Sequence, residues 1–145
     1  MTVAAIRPDS WNLPLFLHVF GAMILFGALA SAAITARASG RAAVPRALLF
    51  RILLLVAVPS WLVMRLAGQW IDSKEDVQGD PSWLGIGFGV ADAGVVVLLA
   101  ATLIAWWGSR RPDLRWPGQV AGVIAFLYLL ALGYAMWAMT AKPGA

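Results

Sequence analysis

Four stretches of the chain are each long and apolar enough to cross a bilayer: about Leu13–Ala36, about Ala47–Trp70, about Trp83–Gly108 and about Gly118–Thr140. A spanning helix needs roughly 20 mostly apolar residues, and none of the four falls short. The breaks between them carry loop chemistry: Ala38-Ser39-Gly40 with Pro45, then Asp72–Ser82 with Gly79 and Pro81, then Gly108–Pro117 with Pro112. Connections of at most about a dozen residues make neighbouring helices antiparallel. The fold class is therefore an all-α membrane protein, an antiparallel up-down bundle of four transmembrane helices in a single domain. No internal repeat points to an inverted-repeat transporter. The first stretch is too long for a signal peptide, and the residues before it include both Arg7 and Asp9.

Composition explains why lipid is needed. The 145 residues are 61% hydrophobic and 12% charged, with mean hydropathy +0.81 and no cysteine, whereas a soluble domain is about a quarter charged. A core of this size cannot hide the surplus apolar surface, so acyl chains must cover part of it. Disorder, disulfide scaffolds, thiolate metal sites and cysteine nucleophiles are excluded. With one histidine, a conventional zinc site lacks ligands, and no metal is expected.

Basic residues set the expected orientation. Arg37, Arg41, Arg46, Arg51, Arg110, Arg111 and Arg115 flank the first and third connections, against Arg7, Arg65, Lys74 and Lys142 on the other side. The positive-inside rule puts those two connections in the cytoplasm and both termini outside. The second connection, with Asp72, Glu75, Asp76 and Asp80, becomes an external acidic turn whose spacing is not that of an EF-hand. Trp11, Trp70, Trp83 and Trp137 would then mark the outer interface, and Trp106, Trp107 and Trp116 the inner one, leaving Trp61 within a span. The net charge of +4 follows from arginines beside anionic lipid, which leaves no case for nucleic acid as a partner.

Ionisable groups inside a span are costly and mark function by default. His18 and Arg65 lie about 7 Å from the outer ends of their helices and Asp92 about 13 Å, so all three share the outer half of the membrane. Tyr134 reaches a similar depth, which gives a candidate polar cluster of His18, Arg65, Asp92 and Tyr134. Structural roles stand beside the functional one. Arg65 could snorkel, His18 could bond a carbonyl, and Asp92, too short to snorkel, must be paired, hydrated or protonated. Trp61, Arg65 and Gln69 share one face of the second span, while Gly21 and Ala22 lie one turn beyond His18. Gly85, Gly89, Asp92 and Val96 share a stripe on the third, where the glycines permit close helix approach and Asp92 should turn towards protein. Gly118 and Gly122 offer a second helix-packing face. Pro59 should kink the second span and free the Leu55 carbonyl.

These residues favour a non-enzymatic bundle that serves as an accessory subunit or binds a small hydrophobic ligand. One alternative is a redox protein holding haem or quinone. His18, Asp92 and Tyr134 supply proton-handling groups for a quinone, and Met64, Met136 or Met139 could join His18 on a haem. The other is a proton-coupled or ion-conducting oligomer centred on Asp92. No cofactor is required by the sequence. The small-residue faces predict a homo-oligomer or a larger membrane complex.

Leu17-His18-Val19-Phe20-Gly21-Ala22, Trp70-Ile-Asp-Ser-Lys-Glu-Asp76 and Ala135-Met-Trp-Ala-Met-Thr-Ala-Lys-Pro143 together resemble the uncharacterised bacterial four-span membrane proteins of the DUF2269-like family, over nearly the whole chain. That resemblance implies a bacterial plasma-membrane protein and carries over no catalytic residue. The chain is also similar to HemJ-type four-span protoporphyrinogen oxidases in its first-helix histidine, there tied to haem and catalysis. Only His18 corresponds, since Lys74 and Lys142 lie outside the spans while that family has a membrane lysine. Copper-resistance D-type proteins share the opening of histidine and small residues, without a second histidine or methionine clusters here.

Overall fold

The computed structural model describes residues 9–39, 45–74, 82–111 and 113–141. A short 3-10 turn over Asp9–Trp11 runs directly into helix α1 (Asn12–Ser39). The second span is composite: α2 (Arg46–Ile52), a π-helical turn over Leu53–Ala57, and α3 (Val58–Asp72). The remaining spans are α4 (Ser82–Ser109) and α5 (Trp116–Ala141). Four continuous helical runs, Asp9–Ser39, Arg46–Asp72, Ser82–Ser109 and Trp116–Ala141, are long and apolar enough to cross a membrane. Each outruns its apolar stretch by one to four residues at either end, because helical hydrogen bonding continues into residues that water can reach. Among the described residues there is no strand. Most of the acidic connection, from Glu75 to Pro81, lies outside the described residues, as do Arg7, Arg41, Pro112 and Lys142.

The spans form a ring in chain order. Helix α1 packs between α3 and α5, α5 runs along α4, and the second span closes on α4 through α2 more than through α3. Neighbours are antiparallel: His18 near the start of α1 meets Met64 near the end of α3, and Ala36 near the end of α1 meets Gly122 near the start of α5. The chain is thus the all-α four-helix bundle its apolar pattern implies.

Uniformly apolar helices cannot choose their inner face by hydrophobicity, so size decides. The buried stripes are dominated by alanine, with Ala28, Ala32 and Ala36 on α1, Ala91, Ala101 and Ala105 on α4, and Ala121 and Ala125 on α5. Leu25, Leu29, Leu53 and Leu98 fill the space between them. In lipid, close approach and dispersion replace the hydrophobic effect as the source of helix association. Gly122 takes that to the limit, since a β-carbon there would overlap the Ala36 side chain.

The disturbance expected at Pro59 takes the form of a π-helical turn just before it, Leu53–Ala57. Proline gives no N–H to the carbonyl four residues back, and its ring would collide with that group in a regular helix. A widened turn separates the two. The Ser60 hydroxyl then donates to the carbonyls of Val56 (2.7 Å) and Ala57 (3.0 Å).

Both ends are tied off. At one, Arg46 Nη1 donates to the carbonyls of Arg111 and Leu114, each at 3.2 Å, binding α2 to the α4–α5 connection. Arg110 stacks on Trp106 at 4.2 Å beside the Trp107–Trp116 pair. At the other, Lys74 Nζ donates to the Ser10 carbonyl at 3.0 Å and lies over Trp70. These are called below the arginine-rich end and the Lys74 end.

Candidate functional site

Two polar arrangements occupy the Lys74 half of the bundle, one on each side of α3. The first joins α3 to α4. Arg65 meets Asp92 through a two-point fork, with Nε donating to Oδ1 at 2.5 Å and Nη2 to Oδ2 at 3.3 Å. Its Nη1 donates to Gln69 Oε1 at 2.8 Å, and the guanidinium lies 4.8 Å from the centre of the Phe88 ring. Local sequence produces this directly: Gln69 is one turn beyond Arg65, and Phe88 one turn before Asp92. One turn before Arg65, Trp61 donates its indole N–H to the Ala91 carbonyl at 2.9 Å, which fixes α3 against α4 at the residue preceding Asp92. A planar guanidinium held on a ring face with a forked carboxylate is a well-determined geometry.

The second arrangement joins α1 to α3. His18 Nδ1 lies 2.8 Å from the Met64 carbonyl. A carbonyl only accepts, so Nδ1 is the donor in this bond. Glycine makes the approach possible twice over. A β-carbon at Gly68 would stand 3.1 Å from the His18 ring, and one at Gly21 would stand 2.8 Å from the Met64 backbone nitrogen. At Gly21 the obstacle is backbone, which cannot yield without moving a helix, whereas at Gly68 it is the His18 ring, which would have to shift by a few tenths of an ångström.

The four expected cluster members are therefore not one network. Arg65 and Asp92 are bonded to each other, whereas His18 is bonded to the backbone of the other α3 seam, and no hydrogen bond links the two sets among the described residues. Tyr134 joins neither. It is 55% exposed and stacks on Trp137, because its rotation about α5 places it with Leu127 and Leu130 on the outward face. The other tyrosine, Tyr128, is the buried one. It packs against Gly94, with its hydroxyl unpartnered among the described residues.

Asp92 does not face the bundle interior either. Its side chain is 56% exposed, against 20% for Arg65. Gly85 and Gly89, two turns and one turn before it, have no neighbour within 4 Å of a β-carbon position among the described residues, so neither sits in a close helix contact there. The buried face of α4 is instead Ala91, Gly94, Leu98, Ala101, Ala105 and Gly108. Of the second glycine pair, Gly122 sits in the α1–α5 seam, while Gly118 makes only an ordinary contact with Leu49 at 3.9 Å.

Chemically, the arrangement offers an ion pair at membrane depth with open carboxylate lone pairs on its outward side, and an imidazole tied through Nδ1 to a backbone carbonyl. Among the described residues, no three His, Cys, Asp or Glu side chains converge. Phe88 and Gly68 went unnoticed in the sequence; the one-turn spacing from Asp92 was the available signal for Phe88, and nothing local marked Gly68. Comparison with family models, curated proteins and solved structures finds no match for this chain.

Proposed function

We propose that the protein is a non-catalytic subunit of an assembly in a bacterial plasma membrane, formed with a second copy of itself across the α3–α4 face. One observation carries this reading: the Asp92 carboxylate is 56% exposed, at a point about 15 Å along α4 from Ser82. Lipid supplies no hydrogen-bond donors, and a carboxylate turned towards acyl chains is costly even when paired. A protein surface laid over it removes that cost. Gly85 and Gly89 leave the approach unobstructed on the same face.

Charge selects the occupant. Each copy carries both signs at one depth, so two parallel copies related by a two-fold axis bring the remaining Arg65 N–H donors of one against the open Asp92 lone pairs of the other. The arginine-rich end faces the cytoplasm in this reading, with both termini outside, as the distribution of basic residues supports.

The chain has no cysteine, so single introduced cysteines report contacts cleanly. Oxidation of Gly89→Cys in native membranes is expected to give a disulfide-linked dimer, while Leu127→Cys on the outward face of α5 stays monomeric. Failure of both Gly89→Cys and Gly85→Cys to cross-link would overturn the proposal.

A further inference from the structure

On the opposite side of the ring, between α1 and α5, a lipid-facing groove of about 820 Å³ runs towards the arginine-rich end. Its volume is in the range of ligand-binding clefts, roughly 300–1,000 Å³. Ala33 and Gly122 keep it deep, because no larger side chain stands at the helix crossing, and Ile34 and Phe126 wall it. Arg37 and Gln119 sit at its polar end. From Ala30 to Arg37 the groove follows α1 for about 10 Å. It is apolar along its length and cationic where the helices reach the interface.

We infer that this groove is a site for an anionic phospholipid, with its phosphate on Arg37 and the upper part of one acyl chain along Ala33, Gly122 and Phe126. Arg37 is exposed and, among the described residues, has no hydrogen bond or ion pair, although its side chain lines the groove. Among the described residues, no acidic side chain lines the groove. A guanidinium at headgroup level with an amide beside it presents several N–H donors to phosphate oxygens, and basic pockets between spanning helices select anionic headgroups.

Charge argues against a second copy here. A parallel two-fold copy on this face would set its own Arg37 against Arg37 with no acidic group among the described lining residues between them, whereas the α3–α4 face carries both signs at one depth, and like charges at close range oppose association. The site is independent of the α3–α4 face, which belongs to the opposite seam.

The test is native mass spectrometry of the whole chain released from mixed micelles holding equal amounts of phosphatidylglycerol and phosphatidylcholine. Wild-type protein is expected to retain one phosphatidylglycerol per chain, at least fivefold over phosphatidylcholine. Arg37→Gln should lose that preference, Arg37→Lys should keep most of it, and Ala33→Leu should reduce retention of both lipids by filling the groove. Arg51→Gln, which removes an exposed arginine outside the groove, is the control. Equal retention of the two lipids by wild-type protein would overturn the inference. So would a loss of preference in Arg51→Gln as large as in Arg37→Gln, since the effect would then be general surface charge.

Discussion

Asp92 and Arg65 have unequal surroundings, and the inequality predicts how each fails. Arg65 is the more buried partner, fixed by Gln69 and Phe88, so Asp92→Asn leaves a guanidinium in place with its counter-charge gone. Removing one member of a fully buried pair costs about 3–5 kcal/mol, and with Asp92 more than half exposed this case falls below that range. Replacing both by leucine is expected to restore monomer stability to within about 1 kcal/mol of wild type, because no charge is then stranded. Unfolding in micelles reads the first effect and the Gly89→Cys cross-link reads the second. The double leucine variant should be stable yet cross-link less, and an undiminished cross-link would remove the pair from the interface. Tyr128 gives the opposite sign. Its buried hydroxyl has no partner among the described residues, so Tyr128→Phe should be neutral or stabilise by about 1 kcal/mol. A loss of more than about 1 kcal/mol would mean that the hydroxyl is satisfied in the folded protein.

At the scale of the helix, glycine positions decide which seams can form. Gly21 brings α1 so close to α3 that even one methyl group would meet the Met64 backbone at 2.8 Å and the Ser60 carbonyl at 3.1 Å. Gly21→Ala is therefore expected to destabilise by about 1–3 kcal/mol through overpacking, while Gly85→Ala and Gly89→Ala leave monomer stability unchanged. Equal effects at all three positions, measured by unfolding in micelles, would contradict this assignment. The contrast also shows where the sequence stops being legible. Helix number and approximate limits follow from apolar length alone, and the arginine distribution from simple counting. The buried face of α4 did not follow, because Gly85 and Gly89 advertise close packing without saying with what. The spacing of Ala91, Gly94, Leu98, Ala101 and Ala105 held that information in side-chain size. His18 bonding a carbonyl was among the roles open to it, but the identity of the carbonyl depended on Gly68, 50 residues away in sequence. The π-helical turn before Pro59 shows a similar limit: the missing N–H follows from the sequence, whereas a proline can be accommodated by a kink or by a widened turn, and the sequence does not choose between them.

For the whole molecule, the two faces lie on opposite seams of the ring, so an assembly across α3–α4 leaves the α1–α5 groove open to lipid. Orientation then determines which leaflet supplies that lipid. Arg37, Arg46, Arg51, Arg110, Arg111 and Arg115 gather at one end, where Arg46 also braces the α4–α5 connection. Basic residues within short connections resist export, which supports the proposed cytoplasmic placement of this end. The groove's cationic mouth would then face the cytoplasmic leaflet, where a negative surface potential favours its proposed ligand. Two exposed positions at opposite ends test this in the cysteine-free chain. Ser73→Cys, beside Lys74, should react with a membrane-impermeant maleimide in intact cells, and Asp113→Cys, in the α4–α5 connection, only after permeabilisation. The reverse pattern would invert the topology and move the groove to the outer leaflet. Labelling of both sites in intact cells would mean that the arginines do not fix a single orientation, because one fixed topology cannot expose both ends of a bundle that spans the membrane.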